Sequence, residues 1–251
     1  MKAMPAARRW TTPEMSCIRW RALLTLVVSL LINQVTFAQP DSKKTGPAST
    51  TYWVFLTTGK STEGTERSEI EQMQAAHLAN FARLHQQGKL FTAGPMADPQ
   101  KKMRGIVVVA APDQKSLREL FEPDPYVKQG FMTIDAIKMG IAVGKFQGNV
   151  DPNTLAEYRL VILEKSMPDG KEVDAKEQAK NTEYCQSIHD AERLCFAGWL
   201  SEDKRSRQGI LIFRKLDDAV LNSLIAELPA VKSKLWKATT FPLYMSDGIV
   251  K

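Results

Sequence analysis

The sequence repeats itself at a constant offset of 104 residues, and few architectures accommodate such a chain. The shift pairs Leu90 with Leu194, Ala93 with Ala197, Gly94 with Gly198, Gly105 with Gly209 and Ile106 with Ile210. Further along it pairs Leu117 with Leu221, Leu120 with Leu224, Pro125 with Pro229, Val127 with Val231 and Lys128 with Lys232. His85 pairs with His189 and Gly144 with Gly248. The offset needs no gap over more than fifty residues. At the front, a two-residue adjustment sets Tyr52-Trp53-Val54 against Tyr158-Arg159-Leu160. Two related units are expected, over residues 51–148 and 155–251, each of a common domain size.

Each unit reads as strand, helix, strand, strand, helix, strand. In the first, Tyr52–Thr58 is rich in strand formers, and Ser68 followed by Glu71 is a capping-box candidate for a helix ending near Gly88. Leu90–Ala93 and Ile106–Ala110 are short apolar strands, and Pro112-Asp113 opens a second helix. Pro123-Asp124-Pro125 breaks that helix, because residues before proline avoid helical geometry. Phe131–Ile141 closes the unit. The order βαββαβ is the ferredoxin-like split arrangement, an α+β fold. Its antiparallel sheet has one face under helices and one face that needs a partner, and a second unit can supply it.

Composition is ordinary for a globular chain: 251 residues, 43% hydrophobic and 25% charged, with a net charge of +6. Much of that charge sits at the front. Lys2, Arg8, Arg9, Arg19 and Arg21 precede the uncharged run Ala22–Ile32, and Val35-Thr36-Phe37-Ala38 offers a cleavage site before Gln39. This is the layout of a secretory leader over residues 1–38, with 39–50 as a linker. The run is shorter than the roughly 20 residues a membrane span needs. Export to a periplasmic or extracellular location is expected, with no membrane association after cleavage. The remaining chain has 29 basic and 27 acidic residues and no long basic run, so nucleic-acid binding is not expected.

At 100° per residue, His77 falls in the middle of an apolar stripe made by Ile70, Met73, Phe81 and Leu84. A histidine there is either a core residue satisfied by a backbone carbonyl or a functional group. His85 and His189 sit where helices end, a position that suits a cation.

The stretch from His77-Leu78-Ala79-Asn80-Phe81 to Ala93-Gly94-Pro95-Met96 resembles the core motif of the YCII-related family. So does Phe121-Glu122-Pro123-Asp124-Pro125-Tyr126. The resemblance covers roughly residues 52–146. It implies a dimeric α/β barrel of ferredoxin-like units, here closed within one chain, and a site containing a histidine and an aspartate. Those roles fall on His77 and Asp124.

The second unit departs from the motif: at the same offset His77 becomes Asn181, Asp124 becomes Leu228 and Pro95 becomes Trp199. One site per chain is therefore expected, with the second unit as a packing partner that lends side chains such as Trp199 or Trp236. A carboxylate beside an imidazole fixes its tautomer and makes a general acid or base. Such a pair suits proton abstraction, elimination or isomerisation of a small organic molecule. Tyr126, Tyr52, Trp53 and Pro95 are pocket candidates; each aromatic is equally readable as core.

Three histidines in all are too few for a histidine-rich metal cluster, and no phosphate loop, nucleophile elbow or Cys-x-x-Cys is present. No cofactor and no metal are expected. Cys185 and Cys195 replace Phe81 and Phe91 at the offset and form either a disulfide or two buried thiols. The expected function is an exported small-molecule enzyme, with self-association open. A non-catalytic ligand-binding module or a purely structural pseudo-dimer is the alternative.

Overall fold

The first strand shows why the chain folds as it does. Along Tyr52–Leu56 every side chain is apolar and every one is buried, so both faces of the strand must be covered. Trp53 and Phe55 face one core, and Tyr52, Val54 and Leu56 face another. The computed structural model describes residues 49–251 except 149, 152–153, 168–171, 202 and 204–205. The secretory-leader reading falls on residues 1–38, outside the described residues. Among the described residues, no helix is long and apolar enough to cross a membrane.

The first half contains β1 (Thr50–Thr58), α1 (Arg67–Gln86), β2 (Leu90–Pro95), β3 (Met103–Ala111), α2 (Gln114–Phe121), α3 (Pro125–Lys128) and β4 (Met132–Val143). The second has the same order: β5 (Leu155–Lys165), α4 (Ala175–Asp190), β6 (Leu194–Ser201), β7 (Arg207–Arg214), α5 (Asp218–Glu227), α6 (Pro229–Lys232) and β8 (Trp236–Ser246). Asp113 caps α2 by accepting from Ser116 N, as the Pro112-Asp113 pair predicts. The capping box predicted at Ser68 and Glu71 does not form. Helix α1 begins two residues earlier, after an N-cap Glu66 whose side chain makes no cap bond. A capping box does form at Asp174 and Glu177, at the start of α4.

Strands lie in the order β2-β3-β1-β4-β6-β7-β5-β8. The first four and the last four are each a ferredoxin-like sheet. Antiparallel pairing of β4 with β6 joins them. The two ends of the order also meet: Met96 bridges Leu243, and Ala97 N donates to Pro242 O at 2.9 Å. The eight strands therefore close into a barrel within one chain. Glycine makes this second seam possible, because a Cβ on Gly94 would run into the Tyr244 carbonyl oxygen.

Three apolar layers result. Inside the barrel, Trp53, Phe55, Ile106 and Val108 meet Leu160, Ile162, Ile210 and Ile212. Outside it, α1 and α2 cover one half through Leu84, Leu117 and Phe121. On the other half, α4 and α5 bury Cys185, Ile188, Leu221 and Ile225.

One expectation is corrected here, and one open alternative is decided. The front of the repeat needs a step of three residues, since Trp53 pairs with Val108 as Leu160 pairs with Ile212. Tyr52 thus corresponds to Arg159, and Tyr158 points into the barrel while Tyr52 points toward the helices. A one-residue slip in a strand exchanges its faces, so matching tyrosine with tyrosine misplaced the register. Of the two alternatives for the cysteines, the structure has the unbonded one. Both are buried free thiols, Cys185 under the helices and Cys195 inside the barrel. Cys195 follows Leu194, so strand alternation puts it on the face opposite the one Leu194 shares with Cys185, and the bulge before Phe196 keeps both Cys195 and Phe196 inside the barrel.

Candidate functional site

Helix α1 lays Met73, His77, Asn80 and Leu84 along its buried side. Asp124 stands at the N-cap of α3, with Pro125 in the first turn. Helix packing brings the two together: His77 Nδ1 lies 2.6 Å from Asp124 Oδ2. The other carboxylate oxygen, Oδ1, accepts from Tyr126 N at 3.0 Å. Asp124 is fully buried and His77 retains 7% exposure. The carboxylate can only accept, so the imidazole donates from Nδ1. Its opposite nitrogen, Nε2, has no hydrogen-bond partner among the described residues and still touches solvent.

Aromatic rings surround the pair. The Phe81 ring lies 4.3 Å from the imidazole and the Tyr126 ring 5.6 Å, edge-on. Tyr126 contacts Phe131, and its hydroxyl donates to Ile70 O at 3.3 Å. Burial pushes the Tyr126 phenol up from its ordinary value. Phe131 was read only as the start of the closing strand, not as a neighbour of the pair; β4 begins one residue later, at Met132. Phe81 belonged to the apolar stripe but was not singled out, because a helical phenylalanine has a sufficient role in the core.

Of the remaining site candidates, Tyr52 and Trp53 do not gather here. Tyr52 is buried in the helix-facing core of the first half, and no described hydrogen bond or ring contact joins it to His77. Trp53 fills the barrel interior. Pro95 is exposed at the end of β2. Trp199 and Trp236 lend nothing to His77. They contact each other at 5.9 Å in the helix-side layer of their own half, and Trp199 Nε1 donates to Thr182. The pair lies in the helix layer of the first half and not in a pocket at the interface between the two units, where the sequence predicts it, because both residues are carried at helices. Two surface hollows of about 440 Å³ lie elsewhere, neither lined by His77 or Asp124. Among the described residues, no three metal-ligating side chains cluster.

The second half performs the same structural task differently. There Leu228 stands at the N-cap of α6, and its side chain cannot accept a hydrogen bond. Asn181, at the position of His77, reaches across instead and accepts from Ala230 N at 2.9 Å. Ala230 N is the counterpart of Tyr126 N. A similar exchange occurs one turn on: Asn80 Nδ2 donates to Leu120 O, and Tyr184 Oη donates to Leu224 O. The terminal histidines do match, His85 and His189 bonding the carbonyls of Leu90 and Leu194.

Residues 52–139 match the YCII-related domain. The match spans β1 through most of β4 and contains His77, Pro95 and Asp124. No curated protein matches the chain. Solved structures resemble it over most of its length. A candidate monooxygenase from Fusobacterium nucleatum aligns with a TM-score of 0.52 at 10% identity, over 81% of this chain and 97% of that one. A candidate chlorite dismutase aligns at 0.50 and 7% identity, over 80% and 96%. A heme-binding protein from Thermus thermophilus aligns at 0.49 and 10% identity, over 79% and 91%. At such identities the likeness of the first two speaks for the fold alone, an antiparallel sheet of ferredoxin-like type, and the YCII-related match lies within the first half.

Proposed function

We propose that this chain is a small-molecule enzyme with one acid–base centre, His77 held by Asp124. The observation that carries this reading is the contrast between the halves. The backbone amide at the start of the short helix needs one acceptor, and Asn181 alone provides it in the second half. The first half serves the same amide with a buried carboxylate and then adds an imidazole. Burying an ionisable group costs more than burying a neutral amide, so capping alone does not account for the pair.

Asp124 accepts from Nδ1–H and so leaves the Nε2 lone pair free to take a proton from a bound molecule. Proton abstraction, elimination and isomerisation can each use such a base. No step calls for a metal or cofactor. The second half serves as a diverged copy that completes the barrel without a site of its own. Its matched side-chain ties to the same backbone groups support that view. Export, through a leader at residues 1–38, belongs to the same proposal.

The test is deuterium incorporation from D2O into a panel of small carbonyl-activated carbon acids, followed by proton NMR. The wild-type chain should label at least one compound, and His77→Gln should abolish labelling. Nitrogen-15 spectra of the imidazole should show the Nδ1–H tautomer, and Asp124→Asn should lose that preference. A wild type that labels nothing, or a His77→Gln variant that labels equally, overturns the proposal.

A further inference from the structure

The two halves differ in bulk as well as in chemistry, and the difference falls beside His77. In the second half Trp199 lies over Gly209, where a Cβ would meet its ring at 2.7 Å, and its indole donates to Thr182 on α4. Trp236 packs against it. Thr182 is the residue after Asn181, so the two indoles fill the space next to the position His77 holds in the first half. The counterparts there are Pro95, Met132, Gly105 and Leu78. Pro95 is exposed, Met132 and Leu78 are half-buried, and Met132 packs on the cluster that contains Tyr126 and Phe131. The glycine floor is retained under Pro95, which pairs with Gly105 as Trp199 pairs with Gly209. No indole covers it.

Charge changes with bulk. Lys60 holds its ammonium 4.2 Å from the centre of the Phe131 ring. Arg104 acts electrostatically on the Tyr126 hydroxyl. Neither cation has an ion-pair partner among the described residues. With the strand registers above, their counterparts are Met167 and Gln208, which are uncharged. The half that keeps the histidine therefore has two free cations and lacks two aromatic plugs.

We infer that the space between His77, Pro95 and Met132 receives a flat, conjugated organic anion of about indole size, its charge turned toward Lys60 and Arg104. Aromatic and apolar walls at Phe81, Tyr126 and Met132 suit a planar ligand, and the exposed cations Lys60 and Arg104 at its edge attract an anionic group. This inference rests on the acid–base reading for its chemistry, but binding can be tested apart from turnover.

The probe is 2-naphthoate, with neutral 2-naphthamide as control, titrated into the full chain and followed by NMR at the Phe81, Tyr126 and His77 rings. Saturable shifts at these rings are expected with 2-naphthoate. Pro95→Trp, which installs the residue of the second half, should weaken binding at least about tenfold. Met132→Trp should do the same, and circular dichroism checks that both variants fold. Lys60→Met with Arg104→Gln should weaken 2-naphthoate about tenfold and leave 2-naphthamide within about twofold. Absence of wild-type binding, or equal binding by both tryptophan variants, overturns the inference. Binding by the wild type with no deuterium exchange would sink the acid–base reading and leave this one standing.

Discussion

Asp124 has two oxygens and two duties. One oxygen caps α3 and the other holds the imidazole. Replacing it by leucine, the residue of the second half, removes an acceptor from the Tyr126 amide and the partner from a buried histidine. Asp124→Leu should cost about 2 kcal/mol in urea unfolding. Adding His77→Asn should recover about half of that, because Asn181 shows an asparagine at this position reaching the amide. If the double variant is no more stable than Asp124→Leu, the equivalence of the two caps is refuted. The cysteines give a second residue-scale expectation. Burial pushes the Cys185 thiol up to about 12 and raises Cys195 as well. Neither should react with iodoacetamide at pH 8 in the folded chain, and both should react after unfolding without reductant, as read by peptide mass spectrometry. Protection after unfolding would mean a disulfide. The His77–Asp124 pairing was legible in the sequence because a family motif placed both residues. The exchange of roles with Asn181 was not, since it depends on a side chain spanning two helices.

At the scale of elements, strands and helices were largely readable from period and punctuation, and the proline pair around Asp124 marked a real boundary. Registers were less so. Residue identity aligned Tyr52 with Tyr158, whereas pairing aligns it with Arg159. The sheet is decided by which side chains fill the barrel, and a tyrosine serves either face. The bulge at Cys195 has the same origin, a single extra residue that leaves no mark in composition. The seam strands carry a clear expectation. A Cβ on Gly94 meets a backbone carbonyl, but one on Gly198 meets the flexible Met139 side chain. Gly94→Ala should therefore lower the melting temperature more than Gly198→Ala, although the two glycines occupy matching places. Equal losses would show that the β2–β8 seam yields as easily as a methionine.

The whole molecule depends on a core that neither half can close alone. Nineteen buried residues from both halves line the barrel. Across the β4–β6 seam, Asp135 of the first half accepts from Arg207 of the second at 2.8 Å, and Asp203 holds the same guanidinium. Denaturant unfolding should show one transition, coincident by tryptophan fluorescence and by far-ultraviolet circular dichroism. Trp53 reports the barrel while Trp199 and Trp236 report the outer layer of the second half, so separate transitions would be visible and would refute the shared core. Closure itself was foreseeable from two open sheets in one chain, but the bridge from Met96 to Leu243 was not, because it joins segments far apart in sequence.

That closure has an effect on variation. In a barrel assembled from two identical chains, every substitution lands twice, once on each side of the symmetry axis. In a barrel closed within one chain it lands once. Tryptophan at 199 need not bring tryptophan to 95, and asparagine at 181 leaves histidine at 77. The two halves can thus differ side chain by side chain, with the buried His77–Asp124 pair on one side only.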